Sequence, residues 1–274
     1  SKAIAAFGKM VRPLKGAGAA AFVSTPDGGN SLGATALFCL TLMDAPDAAQ
    51  HAELRADLLT AMAGLQREDG SFKTSFPSAV ALYSQAFYPG EALLVIAREY
   101  AAGRDGRWRE ICDRALPFYT QYFRTQRPAM MAPWHMQAWG QLARTTQMRR
   151  YADFVYELAD WVAASQITAP DVSLRIYDGA LDLKRIGRSG IATAVHVEGL
   201  AEAARTAESL GDTDRAARYR SAIRRALRFV IQLRFRPEEC YYVQSPREVL
   251  GGVRASPYEP SLRIDHSMHA LAAI

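Results

Sequence analysis

The chain has 274 residues, 49% of them apolar and 22% charged, an ordinary globular balance, and no apolar run approaches the roughly 20 residues that a membrane-spanning helix needs. Its formal charge of +5 and pI near 9.2 favour an anionic partner such as an acidic saccharide, while the absence of zinc-finger spacing, basic-region heptads and RNP-like aromatic strands argues against nucleic acid. Cys39, Cys112 and Cys240 are odd in number and far apart, so they form neither a disulfide framework nor a paired-cysteine metal site, and inert thiols are expected.

Helical periodicity dominates in chain order. Residues 2–12 read as a helix, and Pro13, Gly16, Gly18, Pro26, Gly28 and Gly29 then make a loop with room for a short strand at 20–23. Further helices are expected at 31–43, 48–65, 87–101, 106–122, 133–145, 149–165, 191–209, 213–233 and 263–274. The N-terminal stretch lacks the charged region, apolar core and cleavage site of a signal peptide, so neither cytoplasm nor periplasm is singled out for this soluble chain.

The helices alternate in character. Those at 31–43, 87–101, 133–145, 191–209 and 263–274 are rich in Ala, Leu and Gly and read as inner helices, buried on most sides. Those at 48–65, 106–122, 149–165 and 213–233 carry a charged face, as Arg215, Arg218, Arg220, Arg224, Arg225 and Arg228 show, and read as outer ones. Inner-to-outer connections are short and outer-to-inner connections long, so the long loops gather beside the starts of the inner helices, where free N–H groups and positive dipole ends lie. The pairs recur too irregularly for a uniform solenoid. A single all-α domain over 1–274 is expected, a closed ring of about five to six helical hairpins, which is the C-terminal part of a longer parent chain if a missing inner helix precedes Ser1.

The segment Gln66-Arg67-Glu68-Asp69-Gly70-Ser71-Phe72 resembles the Gln-x-x-Asp-Gly-Ser-aromatic turn of α/α toroid proteins, among them six-hairpin glycosidase-like enzymes and terpenoid cyclases. Gln232-Leu233 with Pro237-Glu238 and Tyr241-Tyr242 reads as a degenerate echo of it. In such a turn the Gln caps backbone groups, the Asp-Gly makes the bend and the aromatic ring packs beneath. The resemblance implies an α/α toroid (barrel) acting on carbohydrate. The chain has neither the Asp-x-Asp-Asp run of squalene-type cyclases nor an Asp/Cys/His zinc set, which demotes terpene chemistry. No nucleophile elbow, phosphate loop or dinucleotide fingerprint is present, so no cofactor is expected.

Chemistry-bearing residues cluster at inner-helix starts. Asp265, between Arg263 and His266, is the leading catalytic candidate, as a base or nucleophile kept charged by the neighbouring guanidinium; its bland alternative is a helix cap. Glu91, after Tyr88-Pro89-Gly90, would pair with it as acid and base, unless it serves only the helix dipole. His135 and His266 would tune protonation, and His196 repeats their position two residues before Glu198. Tyr88, Trp134 and Tyr258 would stack on sugar rings, with His196, Glu198, Arg254, Arg263 and Arg188 as polar contacts; packing roles, a tied-down loop and, for Glu198, a bond to a loop or a neighbouring helix start are the alternatives. His266 and His269 share a helix face, but no third ligand is fixed by spacing and no metal site is expected. The sequence thus reads as a carbohydrate-active hydrolase, lyase or epimerase acting on a polysaccharide or acidic oligosaccharide. A non-catalytic glycan- or protein-binding module of a larger envelope or polysaccharide-biosynthesis protein is the rival, and a terpenoid-type cyclase the third reading.

Overall fold

The structure, a computed structural model, describes residues 2–16, 18–27, 29–76, 85–168, 172–181 and 190–274, without the side chains of 172–174. Arg188, a sequence candidate, lies outside the described residues. The chain divides into two compact units, Ser1–Thr145 and Thr146–Ile274.

The first unit opens with α1 (Lys2–Gly8), β1 (Val11–Pro13) and β2 (Ala21–Val23). The helix expected over 2–12 stops at Gly8 because Val11 to Pro13 pair antiparallel with Val23 to Ala21. Val23 N–H in turn donates to Thr35 Oγ1 at 3.0 Å, anchoring this small ribbon to α2 (Leu32–Met43). Ser31 caps α2, its Oγ accepting from Ala34 N–H at 3.0 Å. A 3₁₀ turn (Ala48–His51) leads into α3 (Ala52–Ala63), followed by α4 (Tyr88–Gly103), α5 (Gly106–Gln126) and α6 (Met131–Thr146). Every residue from Pro89 to Ala97 in α4 is buried, whereas α5 buries one stripe, with Ile111, Ala115, Tyr119 and Phe123 among its members. The contrast between enclosed and one-faced helices is therefore present as the sequence implied.

The second unit holds α7 (Arg149–Ala164), a 3₁₀ turn (Val172–Tyr177), α8 (Ala192–Ser209), α9 (Thr213–Gln232), a second 3₁₀ turn (Pro237–Glu239), the single-turn α10 (Pro246–Val249), β3 (Arg254–Ser256), β4 (Glu259–Leu262) and α11 (Ile264–Ala273). Its core joins Ala194 and Val197 of α8 to Ala226, Phe229 and Val230 of α9, closed by Leu233, Val253, Ala270 and Ala273. The β3–β4 hairpin is absent from the sequence reading, since Ser-Pro-Tyr-Glu-Pro gives little strand signal. The last helix also departs from expectation: α11 buries only His266, Ala270 and Ala273, while Ile264, Met268 and Leu271 are exposed.

The Gln66–Phe72 turn is built as its sequence implied. Gln66 Nε2 donates to Gly70 O at 3.2 Å and to Ile111 O of α5 at 2.8 Å, Gly70 takes φ +88°, and Phe72 is fully buried with its N–H donating to Tyr119 Oη at 3.0 Å. The echo expected at Gln232 is closed by other residues than expected, because Tyr241 and Tyr242 are exposed rather than packed. The true second copy follows α7. There Gln166 Nε2 donates to Gly179 O at 3.0 Å and to Ala222 O of α9 at 2.8 Å, Gly179 takes φ +86°, and Leu181 is fully buried. A reduced third copy follows α9, where Arg234 bridges to Val253 and Gly251 takes φ +83°. In each copy the left-handed glycine stands two residues before the bridged apolar residue.

Candidate functional site

In the first unit, the starts of α2, α4 and α6 bring four sequence candidates together around two glycines. Pro89 presets the first turn of α4, and Glu91 lies in that turn. A Cβ on Gly33 of α2 would stand 2.3 Å from Tyr88 Cδ1 and 2.5 Å from Glu91 Oε2. A Cβ on Gly90 would stand 2.7 Å from Trp134 Cβ and 2.9 Å from His135 Cδ2. Gly33 and Gly90 thus admit Tyr88, Glu91, Trp134 and His135 to one close-packed group, and sequence reasoning missed both. A signal existed: each glycine interrupts an otherwise good helical run at a cost of roughly 1 kcal/mol relative to Ala, which flags close approach.

Glu91 is the group whose environment is least ordinary. It is buried, and its Oε2 has no hydrogen-bond partner among the described residues. Burial pushes its carboxyl from 4.5 up to about 7, overriding the helix dipole that favours a first-turn anion. The carboxyl therefore exchanges its proton in the neutral range. Tyr88 and Trp134, both half-buried, offer ring faces in the same group.

His135 has a different character from the one expected. It is fully buried, and Trp139 Nε1–H donates to its Nδ1 at 3.0 Å, so Nδ1 is a bare acceptor and the ring proton sits on Nε2. Tyr119 packs against the ring with centroids 4.9 Å apart. Burial holds the imidazole down to about 3, which favours its neutral form. Its place is that of a fixed, neutral wall. Tyr119 and Trp139, which set that place, were not singled out in the sequence because they read as core aromatics.

Because the glycine at 33 is dictated by contact, Gly33→Ala is expected to destabilise the protein by about 1–3 kcal/mol, reversing the roughly 1 kcal/mol gain of an ordinary helical Gly→Ala change. Urea unfolding of the two proteins decides the sign.

In the second unit the candidates separate into pairs. Asp265 accepts from Arg263 Nε at 2.9 Å and Nη2 at 2.8 Å, a bidentate clasp between residues two apart. Partial burial acts to raise the Asp265 carboxyl, but the Arg263 bonds and charge outweigh it and hold it below the ordinary carboxylate range. Asp265 is thus an ionised group, suited to a base or nucleophile and not to an acid. Glu198, expected as a substrate contact or as a bond to a neighbouring element, meets His269 of α11, Oε1 to Nδ1 at 2.8 Å, tying two helices together. His196 is buried and its Nδ1–H donates to Ala192 O at 2.8 Å within its own helix. His266 is buried with Nδ1 unpartnered among the described residues. Arg254 does tie down its loop, through Leu233 O, and Tyr258 stands exposed with its ring 6.2 Å from that of Tyr177. Among the described residues no group of three or more His, Cys, Asp or Glu gathers to hold a metal, and no helix is long and apolar enough to cross a membrane. The three cysteines are buried thiols; desolvation raises Cys39 to about 12 and Cys112 well above the usual thiol range.

No family model and no curated protein matches the chain. Among solved structures it is similar to the GH76 alpha-mannanase of Bacteroides thetaiotaomicron, seen as a selenomethionine derivative, with a TM-score of 0.62 and 12% identity. That likeness covers 98% of this chain and 76% of the other. It shows the fold class, an all-α one of the α/α toroid kind.

Proposed function

We propose that this protein is a carbohydrate-active enzyme in which Glu91 is the proton-transfer group and Tyr88 and Trp134 hold the sugar ring. The observation that carries this reading is the buried Glu91 carboxyl, pushed up to about 7, with an oxygen that no described residue engages. A carboxyl that is half protonated near neutrality is matched to protonating a glycosidic oxygen, the step that makes a sugar leaving group depart. The bond between the anomeric carbon and that oxygen breaks as the proton arrives, the oxygen of a water molecule bonds to the anomeric carbon in its place, and the proton that this water gives up restores the carboxyl. His135, held neutral, is a positioning residue in this scheme.

Asp265 has the complementary chemistry. Its clasp with Arg263 keeps it ionised, as a carboxylate acting as base or nucleophile must be. The fold likeness to an alpha-mannanase supports a saccharide over a terpenoid substrate, and the chain's net charge of +5 favours testing acidic sugars beside neutral ones.

The test is reducing-end release from a panel of α-mannan, other neutral and uronate-containing oligosaccharides, run with wild type, Glu91→Gln and Asp265→Asn. Turnover of at least one class by wild type, lost in Glu91→Gln, is expected. An active wild type matched by an equally active Glu91→Gln variant removes Glu91 from the chemistry. A panel left untouched by wild type removes the enzymatic reading.

A further inference from the structure

The second unit contains a half-closed pocket of about 210 Å³, with apolar walls from Ile176, Leu233 and Pro257 and polar groups from Arg236, Glu239 and Arg254. This volume is below the roughly 300 Å³ at which drug-sized sites begin, so it suits one small unit and not a length of chain.

Its charge is organised around one guanidinium. Arg254, with a side chain only 11% exposed, donates from Nε to Leu233 O at 3.2 Å, forms an ion pair with Glu239, Nη2 to Oε1 at 2.9 Å, and lies over the Phe235 ring at 4.9 Å. Glu239 Oε2 accepts from Arg236 N–H at 3.3 Å and from Arg236 Nε at 3.4 Å. Burial acts to raise the Glu239 carboxyl, and the Arg236 and Arg254 bonds reverse that and keep it ionised. One carboxylate is therefore fully engaged by two guanidiniums, which leaves a net positive charge. The two guanidinium forks have no further hydrogen-bond or ion-pair partner among the described residues. Such a preset fork matches the two oxygens of a carboxylate. Next in sequence to the lining residues Ile176 and Pro257 stand Tyr177 and Tyr258, whose ring centroids are 6.2 Å apart, and Tyr258 is 75% exposed. An inorganic anion would use the guanidiniums and leave the apolar walls and tyrosines idle; an acidic sugar uses both.

We propose that this pocket is an accessory binding site for a uronic acid residue of an oligosaccharide, its carboxylate on Arg254 and Arg236 and its ring against Tyr258. The site shares no residue with the Glu91 cluster and does not depend on the reaction assigned there.

The experiment is isothermal titration calorimetry with digalacturonate, its neutral counterpart galactobiose, acetate and inorganic phosphate, on wild type, Arg236→Gln, Arg254→Gln, Tyr258→Ala and Glu91→Gln. Arg236 and Tyr258 are exposed, so those two variants carry the test even if Arg254→Gln fails to fold, and thermal melts confirm that they are intact. Digalacturonate is expected to bind at one site, about 10-fold or more weaker in Arg236→Gln and also weaker in Tyr258→Ala, while galactobiose and acetate bind far less. Glu91→Gln should bind it as wild type does. Galactobiose binding as tightly as digalacturonate, phosphate doing so, or unchanged affinity in Arg236→Gln each overturns the proposal. Loss of binding in Glu91→Gln would move the acidic sugar to the Glu91 cluster and overturn this site while leaving the catalytic reading standing.

Discussion

Replacing Glu91 by Gln is expected to lower turnover about 10²–10⁴-fold, the range that a positioned general acid contributes, while leaving the fold intact. The size follows from the lack of a stand-in at His135, whose imidazole burial holds down to about 3. The same substitution has a distinctive signature in stability. A carboxyl whose folded-state pKa exceeds its unfolded value binds its proton more tightly when folded. Its stabilising contribution is therefore complete below about 4.5 and is lost as pH rises through about 7. The span corresponds to about 3 kcal/mol. Wild type should thus lose stability between pH 5 and pH 8 by an amount that Glu91→Gln largely abolishes, as followed by urea unfolding at several pH values. In the rate profile, the alkaline limb should fall with a midpoint near 7. A wild-type stability curve that rises over this window would contradict the assignment of a buried, proton-holding carboxyl.

Gly70→Ala is expected to be among the most damaging single-methyl changes in the described residues, at about 2–5 kcal/mol. Two effects add. Gly70 has φ +88°, where an L side chain costs about 1–2 kcal/mol, and its Cβ would stand 2.0 Å from the backbone oxygen of Arg114, which overpacks by about 1–3 kcal/mol more. Relief requires the turn to leave α5, which breaks the bond from Gln66 Nε2 to Ile111 O. Gly179→Ala should behave alike, since its Cβ would meet Arg225 O at 2.2 Å with φ +86°. Gly251 supplies the control: φ is +83° but nothing lies within 4 Å of the added carbon, so only the 1–2 kcal/mol of backbone strain is expected. Chemical denaturation of the three variants separates the steric from the conformational part. Equal losses at 70 and 251 would show that contact with α5 adds nothing.

The helices were legible because their apolar periodicity reports burial directly, and α4 and α9 fall within a few residues of where that pattern puts them. The Gln66 turn was legible because Asp-Gly and a following aromatic are local turn chemistry. Its second copy was not, since Gln166 and Gly179 are thirteen apart and, although Asp178-Gly179 repeats the Asp-Gly pair, Ala180 and Leu181 stand where Ser71 and Phe72 do. At the candidate site, residue types at helix starts pointed to Glu91, Tyr88, Trp134 and His135. Their protonation did not follow from sequence, because burial, which raises Glu91 and lowers His135, is a property of neighbours far along the chain. For Glu198 the sequence left a substrate contact and a tie to a neighbouring element open for the same reason: nothing local announces His269, seventy-one residues later.

The two glutamine clasps close over intervals of four and thirteen residues with the same pair of amide bonds. Closing the longer interval costs only roughly 1 kcal/mol more in chain entropy. The clasp thus acts as a socket: what is threaded between its glutamine and its glycine can lengthen, shorten or be exchanged without disturbing the helices on either side. New binding loops can accordingly be grafted between Arg67 and Asp69 while keeping Gln66, Gly70 and Phe72, and natural diversification of this scaffold has a ready place to act that leaves its helical core unchanged.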